Sequence, residues 1–160
     1  MTTSNLGLSF LVLTMNLSAY SILGSIIGNK LNNDQIKLSS KNAAYCTFFT
    51  TFISAICLVY AFVTNDFSIK YVFNHSNLSM NPAYTWVAMY AGNEGSLLYI
   101  ALVISLSILL VLKFKPKDLI ESEPHLIALM SGFLLFFISV MVFFANPFDT
   151  FQTNIPSDGR

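Results

Sequence analysis

Charge is scarce in this chain: Asp, Glu, Lys and Arg make up 10% of its 160 residues, 54% are hydrophobic, and the mean hydropathy is +0.64. So little charge cannot coat a water-soluble globule of this size, so the chain is expected to be an integral membrane protein. Formal net charge is zero, so no global field favours nucleic acid. Cysteine appears twice, at Cys46 and Cys57. On one helix these lie roughly 16 Å apart, beyond disulfide reach, and they are expected to be buried small apolar residues. No Cys-x-x-Cys occurs, which removes support for thiol exchange and thiolate metal sites. Histidine is limited to His75 and His125, tryptophan to Trp86. No basic segment precedes the first apolar run and no small-residue cleavage pattern follows it, so that run is expected to persist as a span.

Four apolar runs have the length needed to cross a bilayer core of about 30 Å: 6–27, 42–63, 94–112 and 126–145. The fold expected is all-α, a polytopic membrane protein of four transmembrane helices with a segment, 64–93, between the second and third and a tail, 146–160. In the first run Thr14, Ser18, Ser21 and Ser25 recur every three or four residues. Thr47, Thr50, Ser54, Cys57 and Ala61 do so in the second. Such stripes predict two helices packed face to face through small residues.

Two short polar loops are expected, 28–41 and 113–125, the latter with Pro124 suited to a first helical turn. Lys30, Lys37 and Lys41 lie in one, and Lys113, Lys115 and Lys117 in the other, which is six of the eight basic residues. The positive-inside rule then puts both loops in the cytoplasm. The N-terminus, segment 64–93 and the tail fall on the exoplasmic side. The tail has two prolines, a glycine and no apolar period, so it is expected to be irregular; its ending on Ser157-Asp158-Gly159-Arg160 predicts a chain cut from something longer.

Segment 64–93 mixes charge, glycine and aromatics between apolar runs, so any working surface is expected there. Asn93 is a suitable N-cap for the third span, and Glu94 in its first turn suits the helix dipole; Gly92 and Gly95 would allow close approach of another group beside that carboxylate. His75, between Asn74 and Ser76, is expected to be solvated. Tyr84, Trp86 and Tyr90 are expected to form an interfacial aromatic belt. Asn74 and Asn77 begin short glycosylation triplets that carry little weight. No phosphate loop, Ser/His/Asp set or His-rich pattern is present.

Three stretches, in order, resemble the amino-terminal part of the CcmF family of cytochrome c-type biogenesis proteins. They are Ala61 to Val72 with His75-Ser76-Asn77; Gly92-Asn93-Glu94-Gly95-Ser96-Leu97-Leu98; and Asn146-Pro147-Phe148 with Pro156-Ser157-Asp158-Gly159-Arg160. The chain departs from the family at Tyr90, Ala91 and Asn93, where the family carries tryptophan, glycine and histidine. The resemblance implies a multi-pass protein of the cytoplasmic (inner) membrane, part of a heme lyase. Its partners would be heme, apocytochrome c, other cytochrome c maturation subunits and the lipid bilayer, with no nucleic acid. The cofactor implied is b-type heme, whose axial histidines and tryptophan-rich motif would lie downstream of this chain. The residues implied for an exoplasmic surface toward heme or a partner are Asp66, Tyr71, His75, Gly92, Glu94, Gly95, Ser96 and Arg160; no catalytic residue, cofactor ligand or metal ligand is implied within the chain. Two other readings stand beside this one: a small four-helix transporter or channel component, and a structural assembly subunit of a membrane complex.

Overall fold

The computed structural model describes residues 2–114, 122–151 and 158–159, with Pro82, Ala83 and Trp86 described by their backbone only. Among these residues lie six helices: α1 Thr3–Lys30, α2 Asp34–Val63, α3 Lys70–His75, α4 Pro82–Ala91, α5 Asn93–Phe114 and α6 Glu123–Phe143. Four of them, α1, α2, α5 and α6, are long and apolar enough to cross a membrane. They form a ring in which α1 packs on α2 and α6, and α5 closes the circle between α2 and α6.

The expected small-residue faces are the α1–α2 seam. Thr14, Ser18, Ser21 and Ser25 are buried on one side, and Thr47, Thr50, Ser54 and Ala61 on the other. Hydrogen bonds cross it at three heights. Thr14 Oγ1 donates to Thr50 Oγ1 at 2.8 Å, Ser21 Oγ to the Ser40 carbonyl at 2.9 Å, and Ser54 Oγ to the Gly7 carbonyl at 3.0 Å. In an apolar medium lipid tails compete for every apolar contact, so close backbone approach and such bonds, about 0.6 kcal/mol each, hold helices together.

The expected polar loop 28–41 is largely helical. Only Leu31, Asn32 and Asn33 separate α1 from α2. Asn32 takes a left-handed φ of 48°, and the Asn33 side chain caps α2 by accepting from the amides of Gln35 at 3.0 Å and Ile36 at 3.3 Å. Polarity by itself says nothing of backbone conformation, because a helix that outlasts the bilayer also ends in polar turns. A second correction concerns the cysteines. Cys46 is exposed and Cys57 only half-buried, because the face of α2 that turns away from α1 also carries the exposed Phe49, Ile53 and Tyr60. Pro124 falls in the first turn of α6 as expected.

Candidate functional site at the break between α4 and α5

Segment 64–93 folds back over one end of the ring, and the tail straps it there. Phe148 is buried, and its carbonyl accepts from Ser4 Oγ at 2.7 Å, which ties the tail to the start of α1. Beyond it, Thr150 pairs with Ile69 in an antiparallel bridge. The Lys70 amide donates to the Asp149 carbonyl at 2.8 Å and the Phe151 amide to the Ser68 carbonyl at 3.1 Å. Lys70 Nζ also meets Asp149 Oδ2 at 2.7 Å; both groups are well exposed, so that pair adds at most about 1 kcal/mol. Farther along, Asp158 Oδ1 accepts from the Leu78 amide at 2.9 Å. The described part of the tail is thus irregular, as expected, yet anchored at both ends. N-terminus, central segment and tail all meet at one end of the bundle.

α4 and α5 are almost one helix, interrupted at Gly92. Such a break leaves carbonyls at the end of one helix and amides at the start of the next without helical partners. Tyr71, buried on α3, supplies the missing partner. Its hydroxyl donates to the Met89 carbonyl at 2.8 Å. Burial pushes the phenol up to about 12; the amide of Gly95 pulls against this by bonding the oxygen, the Glu94 carboxylate adds to it by like charge, and the amide of Gly92 pulls back as Gly95 does. The phenol therefore keeps its proton, and with it the bond to Met89. Both glycines are needed for this fit. A Cβ on Gly95 would overlap the Met89 carbonyl oxygen and the Tyr71 hydroxyl, and one on Gly92 would lie 2.6 Å from Tyr71 Cε2 and 2.7 Å from His75 Nε2.

His75 corrects a further expectation. It is half-buried in the last turn of α3 instead of solvated, with its ring centroid 4.5 Å from that of Tyr71. Its Nδ1 lies 2.9 Å from the Tyr71 carbonyl. A carbonyl only accepts, so Nδ1 is the donor in this contact, and Nε2 faces Gly92.

Five of the eight expected surface residues therefore converge: Tyr71, His75, Gly92, Glu94 and Gly95. Three do not join them. Asp66 accepts from the Ser68 amide at 3.3 Å and from the Ser68 hydroxyl, closing its own turn. Ser96 Oγ donates to the Asn93 carbonyl at 2.9 Å, and Arg160 lies outside the described residues. Asn93, expected to flank α5, is its first residue. Tyr84 and Tyr90 are exposed on α4, while the side chain of Trp86 lies outside the described residues. The capping role of Tyr71 was missed from sequence; the one signal for it was a Gly-x-x-Gly spacing where an apolar helix begins.

Phe62 stands edge-on to Tyr71 at 5.5 Å. With Met89, Asn65, Asn77 and Leu78 it lines a cavity of about 170 Å³, smaller than the pockets that hold drug-sized ligands. The described residues do not set two imidazoles on opposite sides of one iron. No cluster of His, Cys, Asp and Glu among them could hold a metal ion, and His125 is exposed at the start of α6, at the opposite end of the bundle from His75.

A ring of four apolar helices, capped at one end by a strapped polar segment, defines a multi-pass membrane protein with its elaborated surface at one membrane face. Comparison with known proteins identifies the class. The cytochrome c-type biogenesis protein CcmF of Haemophilus influenzae is 29% identical over 161 residues, covering 98% of this chain and 24% of that protein. That of Escherichia coli is 32% identical over 148 residues, covering 90% and 22%. Among solved structures, the cytochrome c heme lyase CcmF superposes with a TM-score of 0.86 at 25% identity, over 96% of this chain and 26% of that one. No family model matches the chain. The chain belongs to the CcmF heme lyase family of cytochrome c-type biogenesis proteins. It spans about a quarter of the length of the curated relatives it matches.

Proposed function

We propose that this chain is the amino-terminal membrane portion of a heme lyase, residues 1–160 acting as one unit, and that it contributes the exoplasmic surface beside which heme is joined covalently to apocytochrome c. The observation that supports this is the convergence of Tyr71, His75, Gly92, Glu94 and Gly95 at one helix break, at the end of the bundle away from Lys30, Lys37, Lys41 and Lys113. In this reading the protein lies in the cytoplasmic membrane with other maturation subunits, and the iron ligands come from outside the described residues. Tyr71 and the glycines hold the break rigid, and Glu94 presents a half-buried carboxylate at its edge.

Replacing Glu94 by Gln keeps the shape and removes the charge. If the carboxylate only complements the helix dipole, worth about 0.3 to 1 kcal/mol, cytochrome c maturation in the complete lyase stays near normal. The expected result is a fall of about tenfold in covalent c-type heme at an unchanged level of inserted protein, with Ser96→Ala near normal. Near-normal maturation in both variants would remove Glu94 from the surface.

The orientation is tested separately. With Lys30, Lys37 and Lys41 around the α1–α2 turn and Lys113 at the end of α5, a cysteine at position 75 is expected to react with an impermeant reagent from outside and one at position 37 only after permeabilisation. The reverse pattern inverts the topology.

A further inference from the structure

The opposite end of the bundle carries a second cavity, of about 530 Å³, whose lining has a different chemistry. Lys41 of α2 and Glu123 of α6 meet across it at 2.8 Å, with side chains only 25% and 17% exposed. Beside them Lys37 pairs with Asp34 at 3.3 Å. Leu38 and Ile127 give the same cavity an apolar wall.

Its depth follows from helix length. α1 has 28 residues and α2 has 30, so at 1.5 Å per residue they run about 42 and 45 Å against a hydrocarbon core of about 30 Å. The polar turns that overhang the core are those that line this cavity, which sets it at the level of lipid head groups.

We infer that this cavity is a binding site for the head group of a zwitterionic aminophospholipid, phosphatidylethanolamine in chemical type. Among the described residues two lysines and two carboxylates line it, and their charges sum to zero. A net-anionic head group would gain from the lysines and lose to Asp34 and Glu123. A head group carrying phosphate and ammonium together complements both signs: phosphate against Lys37 and Lys41, ammonium against Glu123 and Asp34. Carboxylates accept charge-assisted hydrogen bonds from a primary ammonium, and a trimethylammonium has no N–H to donate. Leu38 and Ile127 lie where the glycerol and first acyl carbons would pass. Pockets between transmembrane helices at this depth are a known form of lipid recognition.

The test uses the intact chain, reconstituted in equal parts phosphatidylethanolamine, phosphatidylcholine and phosphatidylglycerol, then extracted in mild detergent and weighed with its retained lipid by native mass spectrometry. The expected result is retention of phosphatidylethanolamine about tenfold over phosphatidylcholine, since one charge-assisted bond is worth at least that ratio. Glu123→Gln should abolish the preference. Because Glu123 also joins α2 to α6, Lys37→Gln serves as the second variant: it leaves the Lys41–Glu123 pair in place and should lower phosphatidylethanolamine retention several-fold at an unchanged unfolding temperature. Equal retention of the three lipids, a preference for phosphatidylglycerol, or full retention in well-folded Glu123→Gln and Lys37→Gln overturns the inference.

Discussion

Gly95→Ala is expected to destabilise the protein by about 3 kcal/mol or more, the reverse of what helix propensity predicts. Within a helix, exchanging glycine for alanine ordinarily gains about 0.5 to 1 kcal/mol. Here the added Cβ would overlap the Met89 carbonyl oxygen and the Tyr71 hydroxyl at once. One of these is backbone, so relief requires α4 to shift against α5, at about 1 to 3 kcal/mol for the overpacking itself. The shift also strands the Met89 carbonyl that Tyr71 serves, at a further 1 to 3 kcal/mol or so for a buried group left unpaired. Unfolding in detergent, followed by circular dichroism, reads the total, and proteolysis at the α4–α5 junction locates it. Gly132→Ala on α6 is the matched control: nothing lies within 4 Å of its would-be Cβ, so propensity alone should act and the variant should be slightly more stable. A Gly95→Ala protein as stable as the wild type would mean that Tyr71 does not hold the break.

Phe148→Ala is expected to cost about 3 to 5 kcal/mol locally, the range for emptying a buried phenylalanine site. Phe148 is 2% exposed, and its ring covers Gly7 so closely that any Cβ there would overlap it. The ring and the Ser4 hydrogen bond are what join the tail to α1. Once they go, the Ile69–Thr150 bridge rests on two backbone hydrogen bonds, an exposed ion pair and the edge-on contact of the Phe73 and Phe151 rings. Hydrogen exchange then distinguishes local release from global unfolding: the amides of Lys70 and Phe151, which donate across the bridge, should lose protection about a hundredfold or more. Amides in the middle of α1 and α2 should stay protected. Gly7→Leu should reproduce the pattern from the other side of the contact. Unchanged protection of Lys70 and Phe151 in Phe148→Ala would show that the strap is held elsewhere.

How much of this was legible in the residues follows from the range of each signal. Run length and small-residue period are local properties, and they sufficed for four apolar helices and for the α1–α2 seam, because small residues every three or four positions leave a face that another helix can approach closely. The family resemblance pointed to the Gly92 to Ser96 stretch for the same reason: it is contiguous. Backbone state within a polar stretch was not legible. Residues 28–41 are polar because they meet water or head groups, whether or not they are helical, and only the packed ends of α1 and α2 reduce the connection to Leu31–Asn33. Nor does periodicity say which side of α2 faces outward, so Cys46 was misplaced. The site itself needed contacts between distant positions. Tyr71 caps a break eighteen residues away at Met89, and Ser4 holds Phe148 across 144 residues. No local pattern encodes such pairings, since what selects them is the shape left when four helices have packed and the buried groups at the α4–α5 break must still find hydrogen-bond partners.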